Sequence, residues 1–156
     1  MIAMLTLRLI GFIVSLLLQT AAVPSFPEGV LSPAESLSIK GEKNIERRIR
    51  IYENASARYQ NLIEGSISTE EFQTIPGNLT LWRALLDESL KDIEANLKSS
   101  KKSRALIRYE IQVRKTIATL QDNRFRAPED QLDAFDSCLA RAGEVRKRFV
   151  EILFEN

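Results

Sequence analysis

The 156-residue sequence contains no histidine and a single cysteine. Histidine is the usual general base near neutral pH and the commonest metal ligand, so its absence excludes nucleophiles paired with histidine. Histidine-ligated zinc and haem, and di-iron sites built on a Glu-x-x-His element, are excluded as well. The lone Cys138 cannot form an internal disulfide. Its neighbours Leu139, Ala142 and Val145 favour burial over an intermolecular link.

The sequence also lacks valine- or isoleucine-rich alternating segments bounded by turns, so no β-strand is expected. Apolar residues instead recur every three or four positions, which predicts amphipathic helices. We expect an all-α, antiparallel up-down bundle whose apolar stripes face inward, with Trp82 as the strongest core candidate. The four expected helices span 33–65, 78–98, 102–123 and 128–154.

Local signals set the expected helix ends. Ser32-Pro33-Ala34-Glu35 predicts a capping box with proline at the first helical position, and Gly41 is a point where this helix can bend or break. Residues 68–71 predict a second capping box and, with Phe72, a single helical turn inside the connection, followed by a stop at Pro76-Gly77 and an N-cap at Asn78. The apolar stripe changes phase across the basic segment 99–103. We therefore prefer two antiparallel helices joined by a turn there, the alternative being one continuous helix.

The N-terminus matches a secretory signal peptide, with Arg8 before an apolar run at 9–18 and small residues Thr20 and Ala22 before the cleavage site. The alternative is an uncleaved membrane anchor, but Arg8 and Gln19 interrupt the apolar span. We expect an extracytoplasmic protein, periplasmic or secreted. Its expected parts are a signal peptide at 1–22, a flexible proline-containing leader at 23–31 and one helical-bundle domain at 32–156.

Charge is unevenly distributed. The chain has 22 basic and 21 acidic residues, but segment 98–126 holds nine basic and two acidic residues, a net charge of +7. One interpretation is a basic helix packed beside acidic neighbours; the other is a surface for an anionic partner, either a protein or a cell-envelope component. The candidate residues for that surface are Lys98, Lys101, Lys102, Arg104 and Arg108. Nucleic acid is not expected, because only Tyr109 and Phe125 interleave with the basic residues. Membrane contact is expected only peripherally or through an uncleaved N-terminal segment.

Three patterns carry possible chemistry, and each has a simpler explanation. Residues 99–102 match Ser-x-x-Lys, but the enzymes that use this spacing need further motifs and a larger fold. Glu88 and Asp92 are interpreted as part of an exposed, charge-paired face, and Asp130, Asp133 and Asp136 as acids at the positive end of the last helix. We therefore expect no catalytic, cofactor or metal site.

These observations predict an exported, non-enzymatic helical-bundle protein that acts through protein or envelope contacts. The alternative is a helical ligand-binding module that holds a small apolar or anionic molecule near Tyr52, Tyr59, Trp82 and Tyr109. A cavity reached by tyrosine hydroxyls would favour the ligand, and a filled core would favour the interaction protein.

Overall fold

The structure, a computed structural model, describes residues 29–98 and 102–155. Within these ranges the chain forms five α-helices and two 3₁₀ turns, Phe72–Thr74 and Glu129–Gln131, and no strand. The helices are α1 (Pro33–Gly41), α2 (Ile45–Ser68), α3 (Ile75–Asn96), α4 (Arg104–Arg124) and α5 (Leu132–Phe154). The all-α class is confirmed. The expected signal peptide, the leader up to residue 28, and Lys101 lie outside the described residues.

The expected first helix is in fact two helices, so the predicted count of four was wrong. The capping box at its start is confirmed, because the Ser32 N–H donates to Glu35 Oε2 at 2.7 Å and the Glu35 N–H donates to Ser32 Oγ at 3.2 Å. α1 ends at Gly41, and the Asn44 side chain then accepts the Glu46 N–H at 2.9 Å. An asparagine cap needs an extended backbone at its own position, so it begins a second helix rather than continuing the first.

The connection between α2 and α3 is shorter than predicted. α2 continues to Ser68, whose hydroxyl donates back to the Glu64 carbonyl at 2.9 Å, so the second capping box does not form. The predicted helical turn in the connection is confirmed as the 3₁₀ turn Phe72–Thr74, and α3 begins directly after it at Ile75. Pro76 lies in its first turn, where a missing N–H costs no helical hydrogen bond, so the predicted stop there and the cap at Asn78 were wrong.

The start of the last helix also differs from the prediction. Residues 129–131 form a 3₁₀ turn after Pro128, and α5 begins only at Leu132. The prediction that α3 and α4 are separate helices is confirmed.

α2 to α5 form the four-helix core, and consecutive helices run in opposite directions. α2 packs against α3 and α4, and α5 packs against the same two helices, so α3 and α4 lie diagonally across the bundle. The parallel neighbours are therefore α2 with α4 and α3 with α5. Cross-helix pairs in ascending order, Glu46 with Ala105 and Glu53 with Arg108, show the parallel direction of α2 and α4.

One buried cluster fills the space between these helices. Trp82 is 0% exposed, as predicted, and the other large aromatic side chains fully or almost fully buried around it are Tyr52, Tyr59, Tyr109, Phe135 and Phe149. The burial of Cys138 is also confirmed. Its Sγ lies 3.5 Å from the Leu79 carbonyl oxygen.

The end of the predicted leader packs on the bundle. The Tyr59 hydroxyl donates to the Val30 carbonyl at 2.7 Å, and Leu31 is part of the buried cluster. Arg58 on α2 contacts Glu35 on α1 at 2.8 Å. Val30 and Leu31, the last two positions of the predicted leader, therefore contact the bundle through a buried tyrosine hydroxyl and an apolar side chain.

Candidate anion-binding surface

α4 carries most of the basic segment, and its start is fixed by two caps. The Ser103 hydroxyl accepts the Leu106 N–H at 2.9 Å, and the Glu46 carboxylate on α2 accepts the Ala105 N–H at 3.2 Å. The residues of α4 that face the core are Ala105, Leu106, Tyr109, Glu110, Val113, Thr116 and Leu120. Since these positions orient the helix, its cations face outward.

The structure separates the five residues predicted for the surface. Lys98 follows the end of α3, whereas Lys102 and Arg104 lie at the start of α4, and all three are exposed. Arg108 is exposed too, but its guanidinium donates to Glu53 on α2 at 2.6 Å. Lys101 lies outside the described residues. Three members of the predicted set are therefore available to a partner at the same end of the bundle.

Charge pairing accounts for two of the cations in segment 98–126. Besides Arg108, Arg124 donates to both carboxylate oxygens of Asp136 on α5, at 2.6 and 2.7 Å. The interpretation of a basic helix beside acidic neighbours applies to these two residues. Within the described part of the chain, no ion pair involves the remaining cations of the segment: Lys98, Lys102, Arg104, Arg114, Lys115 and Arg126.

A groove of about 400 Å³ runs along the surface between α4 and α5. Its apolar lining residues are Ile107, Ile111, Val150, Leu153 and Phe154. Its charged lining residues are Lys102, Glu110, Arg114 and Arg146. We call this feature the α4–α5 groove. It places several of the basic residues beside an apolar surface that is open to solvent.

The charges along the α4–α5 groove are not equivalent. Glu110 is buried, and its carboxylate accepts Arg146 Nε at 2.7 Å, so these two charges neutralise each other. Lys102 Nζ lies 5.9 Å from the centre of the Phe154 ring, within the distance of a cation–π contact. Arg114 has no ion pair within the described residues, so the groove has excess positive charge.

This groove is not evident from the sequence. Ile107 and Ile111 lie beside the core positions of α4, and Ile107 is 37% exposed and Phe154 70% exposed. The available signal was the spacing of the two isoleucines, four apart and flanked by basic residues, which defines a second apolar face on α4. Only the packing of the helices shows that α5 lies beside this face and forms the other wall of the groove.

Asp92 is buried, so its predicted place on an exposed face was wrong. Its carboxylate accepts hydrogen bonds from Arg48 on α2, from the Tyr52 hydroxyl at 3.0 Å and from Asn96 Nδ2 at 2.8 Å. Burial raises the pKa of Tyr52, and the nearby charge of Asp92 adds to this effect. Desolvation and the Asp92 charge also raise the pKa of Glu88. These groups form a network that joins α2 to α3.

The other polar groups among the core aromatics are also paired within the protein. Trp82 Nε1 donates to Ser56 Oγ at 2.7 Å, and the hydroxyl oxygens of Tyr109 and Ser89 are 3.1 Å apart. Burial raises the pKa of Tyr109. The Tyr59 hydroxyl is bonded to the Val30 carbonyl as well, so each of these polar groups has a partner within the protein.

The aspartates at the start of the last helix and in the 3₁₀ turn before it lie on the surface, and they do not converge. Asp130, Asp133 and Asp136 are all exposed, and the hydrogen bond from Arg124 lowers the pKa of Asp136. Among residues 29–98 and 102–155, no three side chains of the metal-binding types come together in a metal-binding arrangement. No helix within the same ranges is both long enough and apolar enough to cross a bilayer.

Comparison with known proteins gives no family for this chain, which matches no family model, no curated protein and no solved structure. Its function is therefore argued from the residues themselves.

Proposed function

We propose that this protein is an exported, non-enzymatic helical bundle that acts by binding an anionic component of the cell envelope through the basic segment 98–126, which includes α4. The observation that carries this proposal is the charge of segment 98–126. Two of its cations, Arg108 and Arg124, pair with Glu53 and Asp136, whereas the six named above have no acidic partner in the described part of the chain. A basic surface without internal partners is suited to an external anion.

The location in this proposal rests on the sequence of residues 1–22, which has the three parts of a signal peptide. The absence of histidine and the internal pairing of the core polar groups support a role in binding rather than catalysis. The alternative of a ligand held near the core tyrosines has less support, because their hydroxyls are already used.

The expected binding is electrostatic. A lysine or arginine near an anionic leaflet contributes about 1 kcal/mol, and the effect falls off within a Debye length of about 10 Å at 0.1 M salt. Several cations on one face therefore predict strong binding at low salt that weakens as the salt concentration rises.

The proposal is tested by sedimentation of the purified protein with phosphatidylglycerol vesicles, with phosphatidylcholine vesicles as the uncharged control. Reversal of three charges, Lys101→Glu, Lys102→Glu and Arg104→Glu, should abolish the salt-sensitive binding. A matched triple reversal at Lys40, Lys91 and Lys147, which lie on α1, α3 and α5, should retain most of it. If the wild-type protein binds anionic vesicles no better than neutral ones, the anionic component that it binds is not a lipid.

Crosslinking in the native envelope followed by mass spectrometry addresses a protein partner. If a specific acidic protein is crosslinked to the wild-type protein but not to the Lys101, Lys102 and Arg104 variant, the proposal stands and the anionic component is a protein. The same data show whether the exported protein begins at Val23, as cleavage of the signal peptide predicts.

A further inference from the structure

We infer that the α4–α5 groove binds one single-chain anionic amphiphile, with its acyl chain on the apolar lining and its head group at Arg114. This inference rests on the proposed function, because it names a ligand for one part of the same basic surface.

The apolar lining accounts for the acyl chain. Ile107 and Ile111 are one turn apart on α4 and face Val150 and Phe154 on α5 across the groove. Phe154 is 70% exposed, so a ligand that covers it would remove apolar area from water, which favours binding. A contiguous apolar surface with a charged rim is typical of a binding site.

The charges account for the anionic head group. Since Glu110 and Arg146 neutralise each other, Arg114 and Lys102 provide the excess positive charge. Lys102 lies over the Phe154 ring, and of the two cations only Arg114 carries a guanidinium, so we place the head group at Arg114. A guanidinium presents two parallel N–H donors, a geometry that fits a carboxylate or phosphate.

The size of the groove favours a single chain over a partner helix. Its volume of about 400 Å³ lies in the range of small-molecule sites, which is about 300–1,000 Å³. One turn of an α-helix with its side chains occupies roughly 500 Å³, from a pitch of 5.4 Å and a diameter of 10–12 Å. From Ile107 to Arg114 the helix rises about 10 Å, which suits an acyl chain of medium length.

The test is calorimetric titration of the purified protein with decanoate below its micelle concentration. Decanol and decyltrimethylammonium have the same chain and serve as controls with a neutral and a cationic head group. We expect decanoate to bind with a stoichiometry of one, decanol to bind at least about tenfold more weakly, and the cation not to bind.

Two pairs of variants locate the site. Ile107→Glu should weaken decanoate binding at least about tenfold, and Leu62→Glu, at a comparably exposed position on α2, should leave it unchanged. Arg114→Gln should weaken it similarly, whereas Lys115→Gln, which removes the adjacent cation outside the groove, should not. Thermal melting of all four variants checks that each is folded.

The outcomes separate this inference from the proposed function. If the wild-type protein does not bind decanoate, or if Ile107→Glu binds it normally, the groove assignment is overturned even when vesicle binding is intact. If decanoate binds as expected but vesicles and envelope proteins do not, the proposed function fails and the groove site stands. A concentration-dependent dimer that Ile107→Glu dissociates and decanoate does not disrupt would identify a second copy as the occupant, and would overturn the inference.

Discussion

Ser89 on α3 and Tyr109 on α4 meet inside the bundle, where their hydroxyl oxygens are 3.1 Å apart. The two helices lie diagonally opposite, so this contact crosses the core instead of joining neighbours. Ser89 donates its hydroxyl hydrogen to the Leu86 carbonyl at 2.9 Å, so Tyr109 is the donor between the two hydroxyls. One polar contact thus connects two helices that are joined in sequence but are not neighbours in the bundle.

Because of this arrangement, we expect removal of the Tyr109 hydroxyl and removal of the Ser89 hydroxyl to lower the free energy of unfolding by different amounts. Tyr109→Phe removes a donor and leaves Ser89 bonded to Leu86, so the free energy of unfolding should fall by about 1 kcal/mol. Ser89→Ala leaves a buried tyrosine hydroxyl without an acceptor and should cost more, up to about 3 kcal/mol. Urea unfolding measures both values, and the reverse order would contradict the assignment of donor and acceptor.

Trp82 should be the most costly side chain to truncate. It is fully buried and donates to Ser56, so Trp82→Ala should lower the free energy of unfolding by about 3–5 kcal/mol. Phe125→Ala is the control: this aromatic residue is 84% exposed, and its loss should change stability by no more than about 0.5 kcal/mol. A Trp82→Ala variant with an unchanged melting temperature would show that the tryptophan is not part of the core.

The contact of Glu35 with Arg58 should make stability depend on pH in the acid range. Burial alone would raise the pKa of Glu35, but hydrogen bonds from Arg58 and Ser32 outweigh it and lower the pKa below its ordinary value of 4.5. A lowered pKa in the folded state means that the stabilisation is complete above about pH 4.5 and is lost as the pH falls through the folded-state pKa.

Urea unfolding at a series of pH values measures this effect. Wild type should be more stable than Glu35→Gln above the acid range, and the difference should shrink as the pH falls. Arg58→Gln should reduce the same pH dependence. If the free energies of unfolding of wild type and Glu35→Gln differ by the same amount throughout the acid range, the Glu35 carboxylate is not the source of the pH dependence.

Cys138 should be unreactive in the folded protein. Burial raises the pKa of its thiol to about 12, and the side chain is almost fully enclosed. Because the thiolate is the reacting form, an aromatic disulfide reagent should modify Cys138 only slowly until urea unfolds the chain. An exposed cysteine introduced by Ser68→Cys provides the rate of an accessible thiol. Rapid modification of the wild-type protein, or a disulfide-linked dimer under native conditions, would support the intermolecular role instead.

A glycine or a proline does not place the end of a helix by itself, because its effect depends on the neighbouring residues. After Gly41 the Asn44 side chain caps a new helix, and the break is real. Pro76 falls in the first turn of α3, where it needs no hydrogen-bond partner, and the helix includes it.

The candidate site was only partly predictable, because the sequence shows which residues are charged but not which of them form ion pairs. The excess of cations in segment 98–126 is visible in the sequence, but Arg108 and Arg124 are paired only because α2 and α5 bring Glu53 and Asp136 beside them. Arg114 has no such neighbour in the described residues. No local signal distinguishes these three arginines.

The sequence by itself determined that the chain is helical, that Trp82 and Cys138 are buried, and that no histidine-dependent chemistry is possible. These properties follow from composition and from a period of 3 to 4 residues, which are local. Only the tertiary structure decided that α3 and α4 are diagonal, that Asp92 is buried and that Ile107 and Phe154 border one groove. The physical reason is that each of these features depends on which helices are neighbours, and the choice of neighbours is made by packing the whole core.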